Sequence, residues 1–285
     1  MFRTFGNTWN LIKISWGVLQ KDKELLFFPI MSAIGVAIIA GVTAGIFSQI
    51  GTFDRLDSSG QAEINAGDLI IGFAALYLGF FIVMYNNGAL IAAARHRLRG
   101  GDPNVWTGFA AVNRRLPQLL VWTLIAVIIW MLLQYARSQS RSFITDILIG
   151  LVGAAWGYLT FFVLPVLIVE GVGPIEAIKR SGGYFKRTWG EQLVASFGFG
   201  IIYILAGIIA AIPIVVLAAI SPVAAIVAGV ALIGLVFAIV STLEGIFKAA
   251  LYEHVAEDVP PDFFPEETLR DAYAPGPTAY RGIEP

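Results

Sequence analysis

Six apolar stretches run along this chain, over residues 25–50, 69–94, 116–135, 143–169, 193–220 and 222–247. Each is at least as long as the ~20 residues that an α-helix needs to cross ~30 Å of hydrocarbon. Lipid offers no hydrogen-bond partners, so a spanning segment has to satisfy its own backbone, and a helix does so locally. The composition agrees: 57% of residues are hydrophobic and 14% charged, where soluble domains carry about 25% charged residues. The expected fold is an all-α membrane protein with six transmembrane helices arranged as three hairpins.

Charge placement orients these stretches. Sixteen of the 19 Lys and Arg residues fall in 1–24, 95–115, 170–192 and 248–285, which lie on one side when the stretches alternate. Arg55, Arg137 and Arg141 are the remaining three. Such a bias marks the cytoplasmic side of a membrane. The expectation is a multi-pass plasma (inner) membrane protein with both termini in the cytoplasm. The first apolar stretch follows some 24 amphipathic residues and is too long for the 7–15-residue core of a signal peptide, so it is read as a retained span.

Helical periodicity appears before each odd-numbered span. In residues 1–24, Phe5, Trp9, Ile12, Trp16 and Leu19 form one apolar stripe. Val105, Phe109, Val112 and Leu116 repeat it in the segment 103–115, and Ile175, Ile178, Phe185 and Trp189 repeat it in 174–189. Aromatic residues on one face and cations on the other suit a helix lying among lipid headgroups. Gly101-Asp102-Pro103 and Gly173-Pro174 supply the helix starts, and Arg114-Arg115 and Lys186-Arg187 end the segments. The chain therefore reads as an interfacial amphipathic helix (1–24), a six-span domain (25–252) built from three parallel units, and a Pro-rich tail (253–285) with little to bury, expected to be disordered.

Polar residues inside spans are costly and draw attention for that reason. Asn86, Asn87 and Glu244 form the candidate intramembrane site, although Asn side chains in spans commonly serve interhelical hydrogen bonding and Glu244 stands four residues before Lys248, a favourable pair spacing. Arg95, Arg97, Arg99, Arg114, Arg115, Lys179, Arg180, Lys186 and Arg187 are the candidate contacts to anionic headgroups, each worth roughly 1 kcal/mol near such a surface. With no Cys and two His, metal binding is not expected. Neither a Gly-x-Ser-x-Gly elbow nor a P-loop occurs, so the chain is expected to be no enzyme and to need no cofactor. A net charge of −1 gives no reason to expect a nucleic-acid partner.

Ser15-Trp16, Asp22 through Leu26, Pro29 and Ser32 resemble the opening motif of an uncharacterised six-span prokaryotic membrane protein family. Asn86 through Leu90, Arg97-Leu98 and Gly100 through Pro103 resemble its second motif, and Pro165, Glu170, Gly173-Pro174, Ala177-Ile178, Ser181 and Thr188 through Gly190 its third. The layout is also similar, more loosely, to YciC-type inner-membrane proteins and to the membrane domain of glycerophosphodiester phosphodiesterases. The resemblance implies a prokaryotic plasma membrane and no catalytic residues. The functional expectation is a lipid-interacting scaffold or accessory subunit, partnered by anionic lipids of the cytoplasmic leaflet and by a membrane protein or a second copy of itself. The alternative is a small-solute transporter or channel with a cavity near Asn86, Asn87 and Glu244.

Overall fold

A computed structural model describes residues 15–58, 64–140, 142–189 and 197–257. Among these, all regular structure is helical: α1 (15–21), α2 (Phe27–Gln49), α3 (Thr52–Ser58), α4 (Ala66–Leu98), α5 (Val105–Asn113), α6 (Leu116–Ser138), α7 (Phe143–Leu159), α8 (Val163–Glu170), α9 (Pro174–Trp189), α10 (Phe197–Ala218) and α11 (Pro222–Glu257). Among the described residues, five segments are long and apolar enough to cross a membrane: Lys23–Gln49, Ala66–Leu98, Leu116–Ser138, Phe143–Glu170 and Ala231–Glu257. The apolar part of α10 with described side chains, Tyr203–Ala218, is shorter. By length and composition these helices define a membrane-embedded protein. Large apolar side chains such as Ile38, Leu69, Ile70, Leu132, Leu151 and Ile209 accordingly face outward, as a bundle dissolved in lipid requires.

Helix α4 is the hub and packs against α2, α5, α6, α8 and α11, while α10 packs on α11. Two glycines permit the closest approaches. A Cβ on Gly108 of α5 would sit 2.5 Å from the Ala89 carbonyl oxygen of α4, and a Cβ on Gly245 of α11 would strike Leu90. Small residues at such crossings let backbones meet where no hydrophobic drive from water holds them. The prolines follow helix chemistry. Pro29, Pro117 and Pro165 lie in the first turns of α2, α6 and α8, where the missing N–H would have had no intrahelical partner.

Two sequence expectations are corrected. The stretch 143–169 is not one helix, because α7 ends at Leu159 and α8 begins at Val163. The segments 103–115 and 174–189 form helices α5 and α9, each held against the bundle by one face. Val112 of α5 is fully buried, and α9 packs against α7 and α8 with Ala177 and Ser181 fully buried. Finally, α11 runs through Glu253 to Glu257, past the boundary placed at 252. The first stripe is met only in part: Leu19 is buried and Trp16 exposed, while Phe5, Trp9 and Ile12 lie outside the described residues, as does the tail from 258 onward.

Candidate functional site: an intramembrane cavity below a cationic surface

Register between α4 and α11 sets the site. Arg95 Nε of α4 donates to Glu253 of α11, which pins those helix ends at one level. Asn87 precedes Arg95 by eight residues and Glu244 precedes Glu253 by nine. At 1.5 Å per residue both lie about 12–14 Å deeper. They accordingly line one cavity of about 750 Å³, together with Ser32 of α2, Trp122 of α6, Tyr203 of α10, and Ser241 and Lys248 of α11. The volume falls in the ~300–1,000 Å³ range of small-molecule sites.

Asn86, in contrast, turns away from that cavity. Its amide donates to the Ile82 carbonyl at 2.9 Å and the residue is buried against the helix. The structure therefore brings Asn87 and Glu244 together and leaves Asn86 as an intrahelical partner. Lys248 Nζ lies 2.7 Å from Glu244 Oε1, and 5.2 Å from the centroid of the Phe161 ring, within cation–π range. Both members of the ion pair keep about 30% of their side-chain surface accessible, so the pair remains open to the cavity. Thr160 and Phe161, from the break between α7 and α8, line the same space. Trp122, stacked on Trp156 at 6.1 Å, is nearly buried, and its indole N–H has no acceptor among the described residues.

A second cavity of about 600 Å³ lies between α2 and α4, with Phe47 and Phe53 among its lining residues. It shares Val36, Val83 and Met84 with the first, so the two lie side by side. Its only side-chain polar group, the Thr43 hydroxyl, is spent on the Ile39 carbonyl at 2.7 Å. The combined space is thus polar at the Asn87–Glu244–Lys248 level and apolar from Val83 to Phe47.

The cations expected at headgroups are placed in three ways. Arg95 and Arg99 both hold Glu253 and Glu257; Arg97 holds Asp22 and Asp102; Arg180 holds Glu170 and Glu176. Glu253 is 1% exposed; burying that carboxylate is costly unless it is paired, and two guanidiniums pair it. The hydrogen bond from Arg180 to Glu170, seconded by Glu176, strengthens the guanidinium's hold on its proton. Arg114, Arg115, Lys179 and Lys186 have no carboxylate partner among the described residues, and the Arg187 side chain lies outside them.

Sequence reading missed Asp22, Glu170 and Glu253 as organising residues. Glu170 accepts from Tyr184 Oη at 3.1 Å and from Tyr252 Oη at 2.8 Å, besides Arg180, and so ties α8, α9 and α11. A signal was present, since each is a carboxylate at a span end in a chain with few of them. Nothing in the spacing says which cation each one meets.

No group of three or more His, Asp or Glu able to hold a metal occurs among the described residues. The architecture is that of a membrane-embedded helical bundle with adjoining polar and apolar cavities that open at its surface. The chain matches a family of unknown function, DUF6159, over residues 67–260, more than half its length, and belongs to that family. No curated protein matches it, and nothing supports the looser likeness to YciC-type proteins or to the phosphodiesterase membrane domain.

Proposed function

We propose that this protein is a non-enzymatic, lipid-binding membrane protein that seats one amphiphile inside its bundle, as a scaffold or accessory subunit of a membrane complex. In this reading α10 is the sixth span, the spans form three hairpins, and both termini face the cytoplasm of a prokaryotic cell. The observation that carries it is the adjacency of a polar and an apolar cavity that share Val36, Val83 and Met84 as lining. A headgroup would occupy the level of Asn87, Glu244 and Lys248, where hydrogen-bond donors and acceptors of both charges are available. An alkyl chain would extend along α2 and α4 toward Phe47, against walls that offer it only apolar contact, worth ~0.8 kcal/mol per buried CH₂. The unpaired Trp122 N–H supports the same reading, since a buried donor without an acceptor costs about 1–3 kcal/mol.

Transport of a small polar solute is the second reading. The break at Thr160–Phe162 favours it, because non-helical backbone at membrane depth occurs where it is buried in protein or lines a cavity, and here it borders one.

The test is native mass spectrometry of the full chain released from lipid nanodiscs. The lipid reading requires one retained amphiphile per chain. It also requires that Gly79→Phe displace it, because Gly79 lines the apolar cavity and has open space where a side chain would grow. A bare chain, or retention unchanged by Gly79→Phe, would refute it. A retained small polar metabolite would transfer the weight to transport.

A further inference from the structure

A third cavity, of about 420 Å³, lies between α4, α5 and α8 at the end of the bundle that carries the paired arginines. Its lining includes Arg95, His96, Arg99, Arg114 and Arg115, and no carboxylate among the described residues. Glu253 and Glu257 reach Arg95 and Arg99 and balance two of the four guanidiniums. Arg114 and Arg115 have no such partner among the described residues, so the cavity holds two positive charges in excess.

The cations there are seated by the backbone around them. Gly171 adopts φ +68°, a conformation that side chains disfavour, and a Cβ at that position would collide with the Arg115 guanidinium. The α8–α9 turn is thus bare where Arg115 lies over it. A Cβ on Gly101 would likewise collide with the His96 imidazole. The rest of the lining is small or apolar apart from Thr107, with Ala110, Ala111 and Ile168 among it. Like-charged guanidiniums around one concavity repel each other, and an anion placed between them relieves that repulsion while accepting several charge-assisted hydrogen bonds. Guanidinium forks match phosphate oxygens in particular.

We propose that this cavity is a phosphate-binding site, with Arg114 and Arg115 as its principal ligands and Arg95, Arg99 and His96 at its rim. The phosphate belongs either to an anionic lipid headgroup entering from the membrane surface or to a soluble phosphate compound. The site is separate from the Asn87–Glu244 cavity and does not depend on the amphiphile proposed there.

Two arms distinguish the sources. In the first, the full chain in neutral detergent is titrated calorimetrically with inorganic phosphate. In the second, nanodiscs of phosphatidylcholine with a minor fraction of phosphatidylglycerol are prepared, and native mass spectrometry reads which lipid stays bound. Saturable binding in the first arm identifies a soluble phosphate compound, and selective retention of phosphatidylglycerol in the second identifies a headgroup. In whichever arm binds, R114Q/R115Q weakens binding at least about tenfold, on the scale of charged hydrogen bonds. Ala110→Trp abolishes it by filling the cavity with every charge kept, whereas K179Q/K186Q, which removes two cations from α9, leaves it intact. No saturable binding in either arm overturns the proposal. So does equal loss in K179Q/K186Q, which would mark diffuse surface attraction, or survival of binding in Ala110→Trp. None of these residues lines the Asn87–Glu244 cavity, so either reading can fail while the other stands.

Discussion

The Ser181 hydroxyl of α9 accepts a hydrogen bond from the backbone N–H of Phe162, 2.9 Å away, and both residues are fully buried. This one contact explains how a chain dissolved in lipid tolerates the break between α7 and α8. The turn frees an amide that would be costly in an apolar interior, and the amphipathic helix that follows the break supplies the acceptor. The same helix delivers Arg180 and Tyr184 to Glu170, so α9 acts as a clamp on the broken span.

Ser181→Ala removes that acceptor while leaving the Phe162 amide buried. The expected loss is about 1–3 kcal/mol of stability, read as a lower midpoint in thermal or denaturant unfolding in detergent. A midpoint equal to wild type would show that the amide finds another partner.

The two carboxylates that hold Arg95 and Arg99 differ in burial, and their removal is expected to differ accordingly. Glu253 is almost fully enclosed whereas about a third of the Glu257 side chain is accessible. Glu253→Gln leaves two guanidiniums short of a buried counter-charge and costs about 3–5 kcal/mol. Glu257→Gln, at the rim, costs at most about 1 kcal/mol. Equal destabilisation by the two would contradict the register assigned to α4 and α11.

Gly108→Ala forces a methyl group into the Ala89 carbonyl and the Phe28 ring edge, 2.5 and 2.8 Å from where its Cβ would lie. Helix α5 has to shift, at a cost of about 1–3 kcal/mol. Gly150→Ala in α7, where nothing lies within 4 Å of the new Cβ, is expected to be neutral or to stabilise by up to about 1 kcal/mol through helix propensity. Unfolding midpoints of the two variants check the contrast.

The absence of native Cys makes single-cysteine probes clean. Cys at 87 or 244 is expected to react with a small water-soluble thiol reagent, because both positions line the cavity, and Cys at 86 is expected to stay unreactive, because that residue is buried on α4. Labelling at 86 as fast as at 87 would contradict the assigned rotation of α4.

Helical class and the approximate extent of the apolar segments were legible because hydrocarbon thickness imposes a length that residues such as those of 69–94 plainly meet. The break at 160–162 was not legible, because Thr160-Phe161-Phe162 is as apolar as its flanks and the capping group lies 19 residues further on, at Ser181. Asn87 and Glu244 could be placed at similar depth by counting residues from the charged ends. Rotation separated Asn86 from Asn87, and adjacent residues on a helix point about 100° apart whatever their identity. The basic residues could be seen collectively from their bias to one side. Which of them face acids was hidden, since Arg95 meets Glu253 across 158 positions and Arg97 meets Asp22 across 75. Only the packing of α4 against α11 and against the helical turn Lys23–Leu26, which Asp22 caps, brings those groups together.

In the proposed function an amphiphile sits with its polar end near Glu244 and its chain along α2 and α4. Two photoactivatable phospholipids, one with a diazirine in the headgroup and one at the end of an acyl chain, test it most directly after detergent washing removes loosely held lipid. Peptide mapping is expected to place headgroup crosslinks on Ser241–Lys248 and Asn87, and chain-end crosslinks on Ile39–Phe47 and Ala75–Phe80. Crosslinks from both probes scattered over the outward faces of α6, α7 and α10 would contradict the account.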